Sequence, residues 1–301
     1  MLIGRDDELA RLTRLVEDVA QGRGHALVVR GTAGIGKSAL LEATRSAAGE
    51  RGVRVLSVAG VESETELAFS GLHDLLDPVI CDRQVLPAPQ AAALASALAL
   101  DSVVPGDRFA VCVATLRLLE HTAARAPLLV IVDDLPWLDS ASRECVLFAA
   151  RRATGPFAMV LAARDDDHPD ARTVVPELLV PRLRHAAAVQ LLAGAAPDMV
   201  TAVAAAVADA ADGNPLALQG LAAALDPAQR SGSADLPVPL APGLSLDALY
   251  LKRLAGLPRD TRQALLIAAA YQGDDLRVIG ATCSALGGDV GSLAAAEEVE
   301  L

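Results

Sequence analysis

The segment Gly31-Thr32-Ala33-Gly34-Ile35-Gly36-Lys37-Ser38 spells G-x-x-x-x-G-K-S, the spacing of a loop that wraps phosphates when it follows a strand and opens a helix. Its glycines let the backbone turn so that N–H groups point inward, and the helix that follows brings its positive dipole end to the same place. In such a loop Lys37 is expected to bridge the β- and γ-phosphates of a nucleotide and the Ser38 hydroxyl to bind Mg²⁺. The nucleotide-contacting set is then Gly31, Thr32, Ala33, Gly34, Ile35, Gly36, Lys37, Ser38 and Ala39. A composition of this kind yields the pattern by chance on the order of once in a thousand chains. Lys37 is moreover one of only two lysines, the other being Lys252. An incidental lysine in a glycine-rich turn is the weaker reading.

A second group lies downstream. The apolar run ending in Val132 leads into Asp133-Asp134. A carboxylate at the C-terminal edge of a parallel sheet, beside such a loop, can hold Mg²⁺ through its water shell, which is the role expected of Asp133. Asp134 is placed to orient or deprotonate the attacking water. It is one methylene shorter than the Glu usual in vigorous ATPases, so slow turnover is expected. The competing reading of the pair is a helix N-cap. Arg164, after a fourth apolar run, is either a cation sensing the γ-phosphate or an ion-pair partner of Asp165-Asp166-Asp167. Arg151-Arg152 reads as a solvated helix end and Gly213-Asn214-Pro215 as a turn entering a helix. Trp137, the sole tryptophan, suits core or interface packing better than ligand stacking. His73, His121, His168 and His185 are dispersed and form no nucleophilic or metal-binding set.

The elements that position these groups follow from hydrophobic pattern. Apolar runs at 26–29, 53–58, 127–132 and 157–162 are strands of the fully buried type, separated by helical patterns at 68–80, 107–124 and 140–152. An amphipathic helix over 5–21 precedes the first. This is the pattern of an α/β fold with a parallel sheet covered by helices on both faces. After Arg164 strand-like runs almost vanish, and Ala-rich helices take over from about 184 to 225. The expected organisation is an ATPase domain over 1–180, a helical domain over 181–228, a Pro-, Gly- and Ser-rich linker over 229–244, and a further helical segment over 245–301. The last helical pattern, 292–298, runs on without a cap, so the sequence is expected to be part of a longer protein.

The 301 residues are 52% hydrophobic but only 2% aromatic, with a net charge of −12. Such a chain folds rather than staying disordered, builds its core from aliphatic side chains, and has no general attraction for nucleic acid. Its four cysteines are too dispersed for a zinc motif and read as buried reduced thiols of a cytoplasmic protein. The apolar stretch 186–211 is broken by Pro197, Asp198 and Asp209, and the opening residues lack a signal-peptide pattern, so no membrane span is expected.

Taken in order, the motifs resemble the N-terminal ATPase region of the large ATP-binding LuxR-type transcriptional regulators, STAND-class P-loop ATPases related to AAA proteins. The resemblance rests on Ile3-Gly4-Arg5-Asp6-Asp7-Glu8-Leu9, the phosphate loop, and Leu67 to Leu76 ("LAFSGLHDLL"). It continues with Asp107-Arg108-Phe109, Val132 to Asp139 ("VDDLPWLD"), Ala162-Ala163-Arg164, Gly213 to Leu218 ("GNPLAL") and Leu257 to Leu266. It implies an AAA-like P-loop NTPase fold, a lid-type helical domain and the start of a winged-helix-like domain. It also implies that Gly4 and Arg5 lie near the adenine, that Pro215 closes over the base, and that Arg164 acts as the first sensor. Implied too is an ATP/ADP switch that self-associates in its ATP form and meets DNA only through a C-terminal helix-turn-helix outside this sequence, its inducer unknown. The alternative from another class is a stand-alone AAA-type ATPase driving a nucleic-acid clamp, loader or replication-type assembly; a remnant that binds nucleotide but signals nothing is the blandest reading.

Overall fold

A computed structural model describes residues 2–100, 108–164, 175–237, 240, 254, 257–271, 276–286, 288–293 and 296. Asp107, the Asp165–Asp167 run, His168 and Lys252 lie outside the described residues, as do 238–239 and 241–244 of the expected linker and most of the helical pattern at its end.

Five strands form one sheet: β1 (Ala26–Arg30), β2 (Arg54–Ala59), β3 (Leu128–Asp133), β4 (Phe157–Ala163) and β5 (Glu177–Leu179), in the order β2-β3-β4-β1-β5. All four pairings are parallel, and the register sets Val130 beside Leu56 and Met159, and Val28 beside Leu161 and Glu177. The expectation of a parallel sheet covered on both faces is met. Side chains alternate between two cores, which is why the strands read as unbroken apolar runs. Val28, Val130, Val132, Met159 and Leu161 face one core with Leu72, Leu75, Leu118 and Leu119. Leu27, Val29, Leu129, Ile131, Ala158 and Val160 face the other with Leu12, Leu15, Val16, Leu40 and Leu41. The second face is covered by α1 (Asp6–Ala20) and α2 (Lys37–Glu50), the first by α3 (Ser70–Leu76), α4 (Ala88–Ala97), α5 (Arg108–Arg125) and α6 (Ser140–Ala150).

Three features depart from the sequence reading. The helix expected over 68–80 ends as α-helix at Leu76 and continues as 3₁₀ helix over Asp77–Val85, with Pro78 at the changeover removing a backbone donor. Helix α4, entered through Pro87, carries no strong apolar face and was not anticipated. Strand β5 is the third: at three residues and with Glu177 inside it, it gives no periodic signal, yet it completes the sheet beside β1.

The chain divides into two units, one comprising Met1–Leu191 with Asp212–Pro215, the other Leu192–Ala211 with Leu216–Leu301. Beyond the sheet, helices α7 (His185–Ala195), α8 (Thr201–Ala210) and α9 (Pro215–Ala224) bear out the Ala-rich helical reading, with Leu192, Val203, Val207, Leu218 and Leu221 buried. A short α10 (Pro227–Arg230), fixed by a capping box between Asp226 and Gln229, extends helix to residue 230, inside the expected linker. In the second unit α11 (Arg259–Tyr271) and α12 (Leu276–Ala285) bury Ala264, Ile279 and Cys283 together, and Thr261 Oγ1 donates to Ser292 O at 3.0 Å. Among the described residues no helix is long and apolar enough to cross a membrane.

Candidate nucleotide-binding site

Because every strand is parallel, the residues that leave the C-terminal ends of β1, β3 and β4 line a single edge of the sheet. Arg30 is in register with Ala163, and Val132 with Leu161, so Gly31–Ser38, Asp133-Asp134 and Arg164 all begin at that edge. In sheets of this kind ligands bind in that position.

The loop itself takes the form that its glycines permit. Gly34 and Gly36 have φ of +73° and +100°, left-handed conformations that exclude most side chains. Gly36 is the N-cap of α2, supplies no side-chain cap, and is followed by a first turn without acidic residues. A helix that opens on a glycine N-cap, with no acidic residue in its first turn, suits an anion at that end. A Cβ at Gly31 would stand 2.8 Å from Ile35 Cγ2, so close packing requires glycine there too. Lys37 is buried and folds back over the loop, its Nζ donating to Gly31 O at 2.9 Å and Thr32 O at 3.2 Å.

Ser38 and Asp133 line one cavity of about 410 Å³, together with Leu41, Glu42, Arg45, Ser57 and Ala59. Both offer hard oxygen donors. Among the described residues no cluster of three or more His, Cys, Asp or Glu could hold a metal ion. A donor set of one hydroxyl and one carboxylate fits Mg²⁺, which keeps waters and takes phosphate oxygens, and does not fit an all-protein metal cage. The Asp133 carboxylate also accepts from Asp134 N at 2.9 Å, and Asp134 has φ of +43°, so the chain turns sharply just after β3. Neither aspartate caps a following helix by its side chain; α6 is capped instead by Asp139.

Arg164 stands with its Cζ 5.3 Å from the centroid of the Trp137 ring, so the half-buried Trp137 packs against a cation. The carbonyl of Arg164 accepts from Arg30 Nη1 at 3.1 Å, and Arg30 Nε pairs with Glu177 at 2.9 Å. Arg30 is almost wholly buried at the end of β1 and so ties β1, β4 and β5 together at the loop. Arg152 stacks on Phe148 at 3.7 Å and bonds the Phe148 carbonyl, as a helix end does.

Arg5 is buried, and its guanidinium is engaged by main-chain carbonyls: Nη1 donates to Pro181 O at 2.7 Å and Nη2 to Ile35 O at 2.8 Å. Burial pulls its pKa below the usual arginine value, against the opposing pull of Glu8. Gly4 has φ of +66°, and a Cβ on it would stand 2.6 Å from that of Ala187. Arg5 thus links the first motif to the phosphate loop. A second connection to the loop has no counterpart in the sequence reading: Asn214 Nδ2 donates to Ala33 O at 2.9 Å, 181 residues away. The turn that carries it is seated by Leu183 N donating to Gly213 O at 2.8 Å and by an Arg182–Asp212 ion pair at 2.7 Å. Pro215 follows Asn214 and opens α9. The Gly-Asn-Pro spacing pointed to a turn, but nothing local indicated that its Asn reaches the loop.

Residues 1–161 match the family described as AAA ATPase domain. An uncharacterized protein of Rhizobium meliloti (strain 1021) is 26% identical over 189 residues, 54% of this chain; the chain spans only 18% of that relative's length. Among solved structures, a signal transduction ATPase with numerous domains (STAND) and a tetratricopeptide-repeat sensor from Pyrococcus horikoshii aligns at TM-score 0.49 with 16% identity, over 85% of this chain and 34% of that one. Drosophila ORC bound to DNA also aligns at 0.49, with 14% identity, over 99% of this chain and 79% of that one. The family match takes in more than half of the chain, including the loop, Asp133 and Asp134, and on that ground the chain belongs to the AAA ATPase domain family.

Proposed function

We propose that this chain is the nucleotide-binding part of an ATP-dependent signalling switch, a LuxR-type regulator of the STAND class, with slow Mg²⁺-dependent hydrolysis. The observation that carries the nucleotide reading is that Ser38, the last residue of the loop motif, and Asp133 line one cavity beside α2, the helix whose glycine N-cap supplies no side-chain cap. In this reading the loop amides hold the phosphates, and Lys37 exchanges the Gly31 and Thr32 carbonyls for β- and γ-phosphate oxygens. Ser38 and Asp133 would hold Mg²⁺, which when bound would supply charge neutralisation at the phosphates. Asp134 orients the attacking water, and its short reach keeps turnover slow.

The switch reading draws its support from the ordered motifs and from two buried or half-buried bonds that end on the loop, Arg5 to Ile35 and Asn214 to Ala33. Any change of loop shape on phosphate binding must alter both. Gly4 and Arg5 then report adenine occupancy, Pro215 closes over the base, and Arg164 senses the γ-phosphate. Residues 181–228 serve as the lid-type domain, 229–244 as a linker, and 245–301 as the beginning of a winged-helix-like domain; self-association follows ATP binding, in the cytoplasm.

Calorimetry with Mg·ATP and with ADP tests the reading. Binding is expected for the wild type, lost in Lys37→Ala, and retained in Asp134→Asn while turnover disappears. Absence of binding at millimolar nucleotide overturns it. Rapid turnover that DNA stimulates would favour a stand-alone assembly ATPase instead, and an elution volume unchanged between ADP and a non-hydrolysable ATP analogue would remove the switch.

A further inference from the structure

Helix α3 has an unusual beginning. Its N-cap, Phe69, is left-handed at φ of +67° and caps nothing with its side chain. The amides at this end bond instead to α6 residues distant in sequence. Phe69 N donates to Asp139 Oδ1 at 2.8 Å, Gly71 N to Asp139 Oδ2 at 3.3 Å, and Leu72 N to Ser142 Oγ at 2.7 Å; Ser70 Oγ stands 3.5 Å from Asp139 Oδ2. The same carboxylate caps its own helix, accepting Ala141 N at 3.1 Å and Ser142 N at 2.9 Å. One buried side chain therefore closes the N-termini of two helices.

Asp139 also ends the turn that begins at Asp133. Between them Trp137 N bonds Asp134 O at 2.8 Å and Leu138 N bonds Leu135 O at 3.2 Å, so the turn is a single hydrogen-bonded unit. Both flanks are packed without slack. Gly60 N donates to Asp133 O at 3.0 Å, and a Cβ on Gly60 would collide with Asp134 O, Trp137 C and Leu138 N. A Cβ on Gly71 of α3 would collide with Leu138 Cδ2. Close-packed units of this kind move together rather than deform.

We propose that Asp139 is a positioning residue that couples α3 to the Asp133-Asp134 turn and so sets where the Asp134 carboxylate stands. The proposal rests on the reading of Asp134 as the water-orienting group. It ties the "FSGLHDLL" and "WLD" stretches of this chain to each other: one supplies the amides, the other the carboxylate that holds them. A shift of α3 then displaces Asp134, and a shift of the turn displaces α3.

Asp139→Ser separates this role from simple capping, because Ser remains a good N-cap for α6 but is too short to serve α3. Amide exchange in the nucleotide-free protein should rise about tenfold at 69–72 and also at 133–138, while thermal unfolding stays cooperative. In the same variant kcat should fall about tenfold or more, as misplacement of a reacting group by a fraction of an ångström implies, with nucleotide affinity within about twofold of wild type. Asp139→Asn, which keeps one acceptor oxygen, should lie between the two, and it decides the matter if Asp139→Ser does not fold. Faster exchange at 69–72 with 133–138 unchanged overturns the coupling; unchanged kcat overturns the positioning role. A wild type that fails to bind nucleotide at all refutes the functional reading instead, and the exchange comparison still decides whether α3 and the turn are coupled.

Discussion

Arg5 and Ile35 lie 30 residues apart and are joined by a buried 2.8 Å hydrogen bond from a guanidinium to a carbonyl of the phosphate loop. The first motif of the sequence is thus a structural part of the loop. Replacing Arg5 by Met removes the charge and leaves the buried Ile35 carbonyl, the part-buried Pro181 carbonyl and the buried Glu8 carboxylate without their guanidinium partner. Destabilisation of about 3 kcal/mol is expected, the cost typical of breaking a buried charged network. Urea unfolding of Arg5→Met against wild type measures it, and a change under about 0.5 kcal/mol, the range of a surface substitution, would show that the bond is dispensable.

Asn214 bonds the same loop from 181 residues further along the chain. A neutral hydrogen bond is worth about 0.5–1.5 kcal/mol, so Asn214→Ala should weaken nucleotide binding about three- to tenfold with a small effect on stability. Calorimetric titration with ADP checks it. Asn214→Asp should be worse than Ala, because a carboxylate would then face the Ala33 carbonyl beside the phosphates.

The Asp139 carboxylate is raised in pKa by burial, but the hydrogen bonds from Ser142, Phe69 and Gly71 outweigh this and hold it below the usual carboxylate range. A folded-state pKa below the unfolded value of about 3.9 means stabilisation that is present at neutral pH and lost as pH falls through the folded value. The stability gap between wild type and Asp139→Asn should therefore be constant from about pH 7 to 5 and shrink below about pH 4. Urea midpoints measured across that range test the sign.

Cys112 and Cys145 meet across α5 and α6 with their sulfurs 3.3 Å apart, and burial pushes both thiols up in pKa. The sequence reading of four buried thiols holds for these two and for Cys283, whereas Cys81 is exposed. Under native conditions an aromatic disulfide reagent should modify Cys81 rapidly and the other three only at the rate of opening or unfolding. Rapid release of more than one equivalent would show that the α5–α6 contact opens readily.

The parallel sheet, its helical cover and the phosphate loop were legible from residue types and spacing, because each is encoded locally. Buried strands read as apolar runs at 26–29 or 157–162, a loop with two left-handed positions demands glycine at 34 and 36, and Lys37 stands out where arginine supplies nearly every other cation. The elements that escaped have no local signature. Three residues of β5 carry no period, and a serviceable N-cap such as Asp139 looks the same whether it serves one helix or two.

What the sequence determined by itself was the chemistry available at one edge of a sheet: a lysine and a hydroxyl after β1, two carboxylates after β3, an arginine after β4. Only the tertiary structure decided which of these groups share a cavity and what holds them. Arg30, Arg5, Asn214 and Asp139 each fix a backbone group that is 30 to 181 residues away or on a neighbouring strand. The reason is physical. A hydrogen bond to a carbonyl or amide places no demand on the residue type that supplies it, so these partnerships leave no trace in sequence and arise only when packing brings the two backbones together.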